Sequence, residues 1–131
     1  MKILFVCKGN WFRSQMAEAV YNKLTQSNDA SSAGTYAGAP DEPEGQKLTD
    51  LLPQDFFHVM QSHGLDLCHK KTKKLVPEML KNADLVVSMA EEPFIPDFLR
   101  TSPKVIWWDV KDGGGTEPTY QKITELVQKL I

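Results

Sequence analysis

The chain has 131 residues, the size of one ordinary domain, so a single hydrophobic core is expected rather than a multidomain assembly. Hydrophobic residues make up 41% and charged residues 24%, with 8 Gly and 8 Pro, and this composition excludes the disordered, collagenous and coiled-coil classes. Lys and Arg number 15 against 17 Asp and Glu, for a formal charge of -2, which removes the electrostatic basis for general binding to nucleic acid or to a membrane surface.

The first apolar stretch, Ile3 to Cys7, is too short for a spanning helix or a signal segment, so a soluble, unprocessed chain is expected. Two cysteines, Cys7 and Cys68, cannot staple a disulfide-dense secreted domain, and no Cys/His spacing suggests structural zinc. A reducing cytoplasm fits best. An isolated cysteine there is usually a small buried hydrophobe, so any other role for Cys7 must come from its surroundings.

Lys2 to Cys7 forms an apolar run of strand length, as expected for a central parallel strand covered on both faces. From Ser14, placed as N-cap, a helix should run to about Gln26 with Met16, Ala17, Val20 and Leu24 on one face. A brief second strand at Ser32-Ala33 leads into a long surface loop marked by Gly34, Gly38, Pro40, Pro43 and Gly45. A helix is expected from about Pro53 to His63, with Gly64 after its end. Lys70, Lys71, Lys73 and Lys74 form a basic run whose plainest reading is a solvated loop. Val76 to Lys81 suits a short helix, Ala83 to Met89 a third strand, Lys104 to Trp108 a fourth, and Tyr120, Ile123, Val127 and Leu130 stripe a final helix. A helical turn is possible after Pro93.

Strands alternating with helices imply a four-stranded, mostly parallel α/β sheet with helices on both faces. Ligands in such sheets bind beyond the carboxyl ends of the strands. Those ends carry Cys7, Ser88-Met89, and Asp109 with Asp112.

Cys7-Lys8-Gly9-Asn10-Trp11-Phe12-Arg13-Ser14 is a nucleophile, a five-residue loop, then an arginine and a hydroxyl at a helix start. A loop this short can wrap an anion only if some residues accept positive φ, so Gly9-Asn10 suits a nest of backbone amides. Arg13 adds a fork for two parallel hydrogen bonds to phosphate oxygens, and the helix dipole points its positive end at the same place. The thiolate is the reactive form of cysteine, and this environment favours it. Expelling the leaving oxygen needs a proton donor, for which Asp112 and Asp109 are the candidates, with Asp112 favoured because the glycines after it would let it reach over the cup.

These residues resemble the low-molecular-weight protein tyrosine phosphatases, whose signature Val-Cys-x-Gly-Asn-x-x-Arg-Ser, followed by Ala-Glu, is matched by Val6 to Ser14 with Ala17-Glu18. Weaker similarity covers Ser32-Ala33-Gly34-Thr35, Gly64-Leu65-Asp66 with His69, Asp84 to Met89, and Trp108 to Asp112. The resemblance implies the phosphotyrosine phosphatase I-like fold and a cysteine-dependent phosphomonoester hydrolase acting on phosphotyrosine through a phosphocysteine. It makes Cys7 the nucleophile, Arg13 the phosphate binder and Asp112 the general acid. Lys8, Gly9, Asn10, Trp11, Phe12, Arg13 and Ser14 then form the phosphate-binding loop. Ser32 and His69 would support that loop together with Asn10 and Ser14. No metal or other cofactor is implied, because guanidinium and amides supply the positive charge. The expected partners are a phosphorylated protein or small aryl phosphate, with inorganic phosphate or a similar oxyanion as product or inhibitor, and neither nucleic acid nor membrane.

The chain departs from the family pattern in three places. Gly113-Gly114-Gly115 stands where a Pro usually follows the acid, Phe12 replaces a second cysteine, and Trp11 faces the expected pocket mouth. Two other functions are compatible with the loop. One is an arsenate reductase on the same scaffold using an external thiol, since no cysteine pair follows Met89 for an internal relay. The other is a phosphate-binding or phosphocysteine module with little turnover.

Overall fold

The computed structural model describes residues 1–111 and 113–131. Four strands, β1 (Ile3–Cys7), β2 (Ala30–Gly34), β3 (Leu85–Ser88) and β4 (Val105–Trp107), form one parallel sheet in the order β2-β1-β3-β4. Register places Cys7 opposite Gly34 and Val6 opposite Ser88, so the ends of β2, β1 and β3 lie side by side.

Side chains along β1 alternate between two cores, as the pleat requires. Ile3, Phe5 and Cys7 pack with Met16, Ala17 and Val20 of helix α1 (Arg13–Thr25), with Phe56 and Met60 of α3 (Gln54–Ser62), and with Ile123 and Val127 of α6 (Thr116–Gln128). Leu4 and Val6 face the opposite core, with Leu80 of α4 (Pro77–Asn82) and Leu99 of α5 (Asp97–Arg100). Burial on both faces accounts for the unbroken apolar run of β1. The nucleophile candidate Cys7 therefore belongs to the α1 side of the sheet.

The strands and long helices lie where the sequence places them, with ends differing by one or two residues. A four-residue helix, α2 (Leu48–Leu51), goes beyond the expected loop; it has too few residues for a periodic pattern, yet it buries Leu48 completely. Ser14 is not the N-cap of α1. Phe12 occupies that position without a side-chain hydrogen bond, because the Ser14 hydroxyl is engaged elsewhere.

The basic run is not simply a solvated loop. Its second half lies beside β2, with the Gly34 N–H donating to Lys73 O at 2.8 Å and the Leu75 N–H to Gly34 O at 2.9 Å, its first half pairs with Lys47 and Leu48, and Thr72 is buried. Charge composition alone conceals this, because the pairing uses backbone groups that every residue carries. Among the described residues no helix is long and apolar enough to cross a membrane.

Candidate active site

Cys7 ends β1 with only 2% of its surface exposed, and the chain turns through residues 8–12 into α1. Two carbonyls of this turn are drawn outward, since Thr35 N–H donates to Cys7 O and Tyr36 N–H to Lys8 O, both at 2.9 Å. With these carbonyls turned away, amides can face inward and form an anion-binding concavity. The Asn10 N–H points to Cys7 Sγ at 3.3 Å.

Only Asn10, at φ 58°, takes up the left-handed conformation in this turn, which Asn tolerates better than most residues. Gly9, expected to share that role, does not. Its lack of a side chain serves another purpose: a Cβ there would run into Nε1 and Cδ1 of the Trp11 indole, which lies across it. A second glycine backs the turn, for a Cβ on Gly34 would come within 2.7 Å of Lys8 O and 2.9 Å of Asn10 N.

Arg13, 2% exposed, reaches across the ends of β3 and β4. Its Nη1 donates to Met89 O at 2.7 Å and Val110 O at 3.0 Å, and the Glu91 carboxylate receives Nη1 at 2.9 Å and Nη2 at 3.2 Å. The β3 end thus contributes a backbone carbonyl to the site. The Ser88 hydroxyl is occupied locally, accepting from Ala90 N–H at 3.3 Å.

Behind the cup runs a chain of buried polar groups. Ser14 Oγ is 2.9 Å from Cys7 Sγ, and Asn10 Nδ2 donates to Ser14 Oγ at 2.8 Å and to Ser32 Oγ at 3.0 Å. Ser32 donates to Glu18 Oε1 at 2.8 Å. Glu18, one helical turn beyond Ser14 and 4% exposed, is balanced by Lys70 Nζ at 2.7 Å and Lys73 Nζ at 3.6 Å. Asn10 Oδ1 accepts from the Lys73 backbone N–H at 2.8 Å and from Gln15 Nε2 at 3.2 Å.

His69 is not brought into this network. It is exposed, and the positions beside Glu18 and Asn10 are filled by Lys70 and Lys73. His69 lies in a turn closed by the Lys70 N–H on Leu67 O at 3.2 Å, and the chain leaves that turn with Lys70 directed at Glu18. Sequence reasoning placed Glu18 within the matched motif but gave it no role, although its spacing of four from Ser14 puts both on one helix face.

Trp11, Glu42 and Lys8 line the same recess as Cys7, Gly9, Phe12 and Arg13. Glu42 accepts from Trp11 Nε1 at 3.4 Å and lies 3.5 Å from Lys8 Nζ. Phe12 contributes backbone only, because its ring is buried against Phe56 at 5.6 Å between centroids. Lys8 Nζ lies 4.4 Å from the Phe94 ring centroid and 5.0 Å from that of Tyr36. The phenol of Tyr36 is held above its ordinary pKa of 10.0, first by its hydrogen bond to Asp41 and then by that carboxylate's charge.

Asp112 lies outside the described residues. Asp109 is exposed and borders a neighbouring hollow with Glu91 and Lys111. Cys68 is exposed and free, its thiol pushed upward by desolvation and by Asp66, which makes it a poor thiolate donor for a relay. Among the described residues, no group of three or more His, Cys, Asp or Glu could hold a metal ion.

The family described as low molecular weight phosphotyrosine protein phosphatase matches residues 2–96. The chain is 31% identical over 94 residues to a protein-arginine-phosphatase of Bacillus subtilis (strain 168), a match covering 70% of this chain and 57% of that protein. The chain thus spans little more than half the length of this curated relative. Its fold superposes on the low molecular weight protein tyrosine phosphatase from T. tengcongensis with a TM-score of 0.78 and 29% identity, covering 99% of this chain and 97% of that one. A mutant of the YwlE arginine phosphatase with a phosphorylated active-site serine superposes with a TM-score of 0.76 and 26% identity, covering 99% and 93%.

Proposed function

Because the chain belongs to the low molecular weight phosphotyrosine protein phosphatase family, we propose that it is a cysteine-dependent phosphomonoester hydrolase acting on phosphotyrosine in proteins. The observation that carries this reading is the sulfur of Cys7 at the base of an amide-lined turn, within reach of both the Asn10 N–H and the Ser14 hydroxyl. Both groups can donate to ionised sulfur, and hydrogen bonds to the charged form favour it.

The Cys7 thiolate attacks phosphorus, forming the S–P bond as the P–O bond to the leaving oxygen breaks. Asp112 gives that oxygen its proton. Water then attacks phosphorus, the S–P bond breaks, Asp112 takes the proton from the water, and phosphate leaves with the thiolate restored. Arg13 and the inward amides stabilise the charge on the equatorial oxygens. Met89 O and Val110 O hold the guanidinium in one plane, so little reorganisation is left for the reaction itself.

Hydrolysis of para-nitrophenyl phosphate, compared among the parent, Cys7→Ser and Asp112→Asn, tests this reading. Cys7→Ser should abolish turnover. Loss of general acid help should slow Asp112→Asn by about 100-fold or more. Equal hydrolysis by parent and Cys7→Ser would falsify the reading.

A second substrate is favoured by one observation, the Glu42 carboxylate lining the recess. A carboxylate beside the phosphoryl site suits a cationic leaving group, and phosphoarginine carries one. Parallel assays on phosphotyrosine and phosphoarginine peptides decide between the two.

A further inference from the structure

Glu18 is a buried carboxylate that lies away from the phosphate cup, and the mechanism above does not use it. Together with the Lys73 backbone N–H, it sets the direction of the hydrogen bonds that run from it to the nucleophile. An ionised carboxylate only accepts, so the single hydroxyl proton of Ser32 goes to Glu18 Oε1. Ser32 Oγ is then an acceptor for Asn10 Nδ2. The amide of Asn10 cannot be turned the other way, because the Lys73 backbone N–H, 2.8 Å from Oδ1, needs an acceptor there. The second Nδ2 hydrogen therefore enters a lone pair of Ser14. The remaining proton of Ser14 is left to point at Cys7 Sγ, 2.9 Å away.

The Ser32 end of this chain keeps its direction because the Glu18 carboxylate accepts there. Burial disfavours a charged carboxylate unless it is paired, and the pairing comes from Lys70 at 2.7 Å and Lys73 at 3.6 Å. With Glu18 neutral, Ser32 would no longer be obliged to donate outward, a protonated carboxyl could itself donate to Ser32 Oγ in competition with Asn10 Nδ2, and the Asn10 amide that donates to Ser14 would lose one of its anchors. We propose that Lys70 is a positioning residue for the nucleophile: by pairing with the buried Glu18 carboxylate, it holds Ser32 as an acceptor for Asn10, and so keeps in place the amide that leaves the Ser14 proton facing Cys7. Lys73 assists through its side chain and fixes the Asn10 amide through its backbone. Among the described residues, the other charged groups around the recess that holds the sulfur are Lys8, Arg13 and Glu42, with Glu91 on Arg13, and none of them pairs with Lys70.

The inference rests on Cys7 being the reactive thiol, so the test reads the thiol separately from turnover. Iodoacetamide alkylation of Cys7, located by mass spectrometry to separate it from Cys68, is followed across pH in the full chain. Parent, Lys70→Gln, Lys70→Arg and the remote charge control Lys122→Gln are compared. Lys70→Gln should slow alkylation at about pH 6 roughly ten-fold and move the profile to higher pH, the size expected for one charge-supported hydrogen bond. Lys70→Arg should restore the parent profile, and Lys122→Gln should match it throughout. With para-nitrophenyl phosphate, Lys70→Gln should lower kcat and leave KM unchanged.

A Lys70→Gln profile superimposed on the parent's overturns the proposal, as does failure of Lys70→Arg to restore it. If Lys70→Gln does not fold, Lys73→Gln must give a smaller shift in the same direction while Lys70→Arg remains at the parent profile. Absence of hydrolysis by the parent would instead count against the proposed function, and the alkylation profiles would still decide the role of Lys70.

Discussion

The two carboxylate oxygens of Glu91 meet the two terminal nitrogens of Arg13, at 2.9 and 3.2 Å. Arg13 is almost wholly buried, whereas the Glu91 side chain is 45% exposed. The guanidinium is also held by Met89 O and Val110 O, so its plane does not depend on the carboxylate alone. In the proposed function Glu91 therefore acts mainly as a negative charge beside the phosphate-binding loop. Glu91→Gln should tighten competitive inhibition by inorganic phosphate about two- to five-fold at low salt, the range of a partly exposed charge pair. A weaker inhibition constant would show that Glu91 positions Arg13 instead.

Gly34 should be the least replaceable glycine. An added Cβ meets three backbone atoms of the phosphate loop at 2.7 to 2.9 Å, and backbone cannot swing aside as a flexible side chain can. Gly34→Ala should cost about 1 to 3 kcal/mol in stability and reduce kcat sharply. Gly45→Ala is the contrast: its φ of +81° strains any side chain, but no atom lies within 4 Å. That substitution should cost about 1 kcal/mol and leave kcat intact. Denaturant unfolding and turnover on both variants check the pair.

Glu42 should set charge preference at the mouth. Its carboxylate is shared by Trp11 Nε1 and Lys8 Nζ at 3.4 and 3.5 Å, loose contacts that a substrate cation can displace. Phosphotyrosine peptides with a neighbouring Arg should be favoured over those with a neighbouring Glu. Glu42→Gln should reduce that ratio of kcat/KM about two- to five-fold, the scale of a rim charge. An unchanged ratio places Glu42 outside the peptide's path.

One acid-dependent contribution to stability comes from the contact between the end of α3 and the start of α6. His63 stacks on Tyr120, with centroids 3.8 Å apart, and binds Glu117 at 2.8 Å. Hydrogen bonds from His63 and then Gln121 lower the Glu117 pKa from 4.5. A depressed folded-state value stabilises the protein above the unfolded value, and that contribution is lost as pH falls through the folded one. Glu117→Gln should therefore lower the Tm near neutrality and converge with the parent under acid conditions below 4.5. Thermal scans across that range check it; a constant Tm difference would refute the assignment.

Much of the fold follows from local pattern. The apolar run Ile3 to Cys7 specifies a strand buried on both faces, and the helix-strand alternation specifies the parallel sheet, because both depend on side-chain periodicity and on the handedness of the chain. The spacing from Cys7 to Arg13 likewise specifies a tight turn that sets Cys7 and Arg13 around one recess, since a turn that short leaves few ways to place the groups. Four-residue α2 was not legible, because a single turn has no period to detect.

The partners of the cup were decided by the tertiary structure. Lys70 and His69 are adjacent in a polar run, and the turn at 68–69 with the contact of Leu48 N–H on Lys70 O determines which one reaches Glu18. Glu91 and Glu42 are ordinary surface acids by sequence, 78 residues from Arg13 and 31 from Trp11. A hydrogen bond needs its two groups within about 3 Å, and such proximity between distant parts of the chain comes from how the elements pack, which no local pattern encodes.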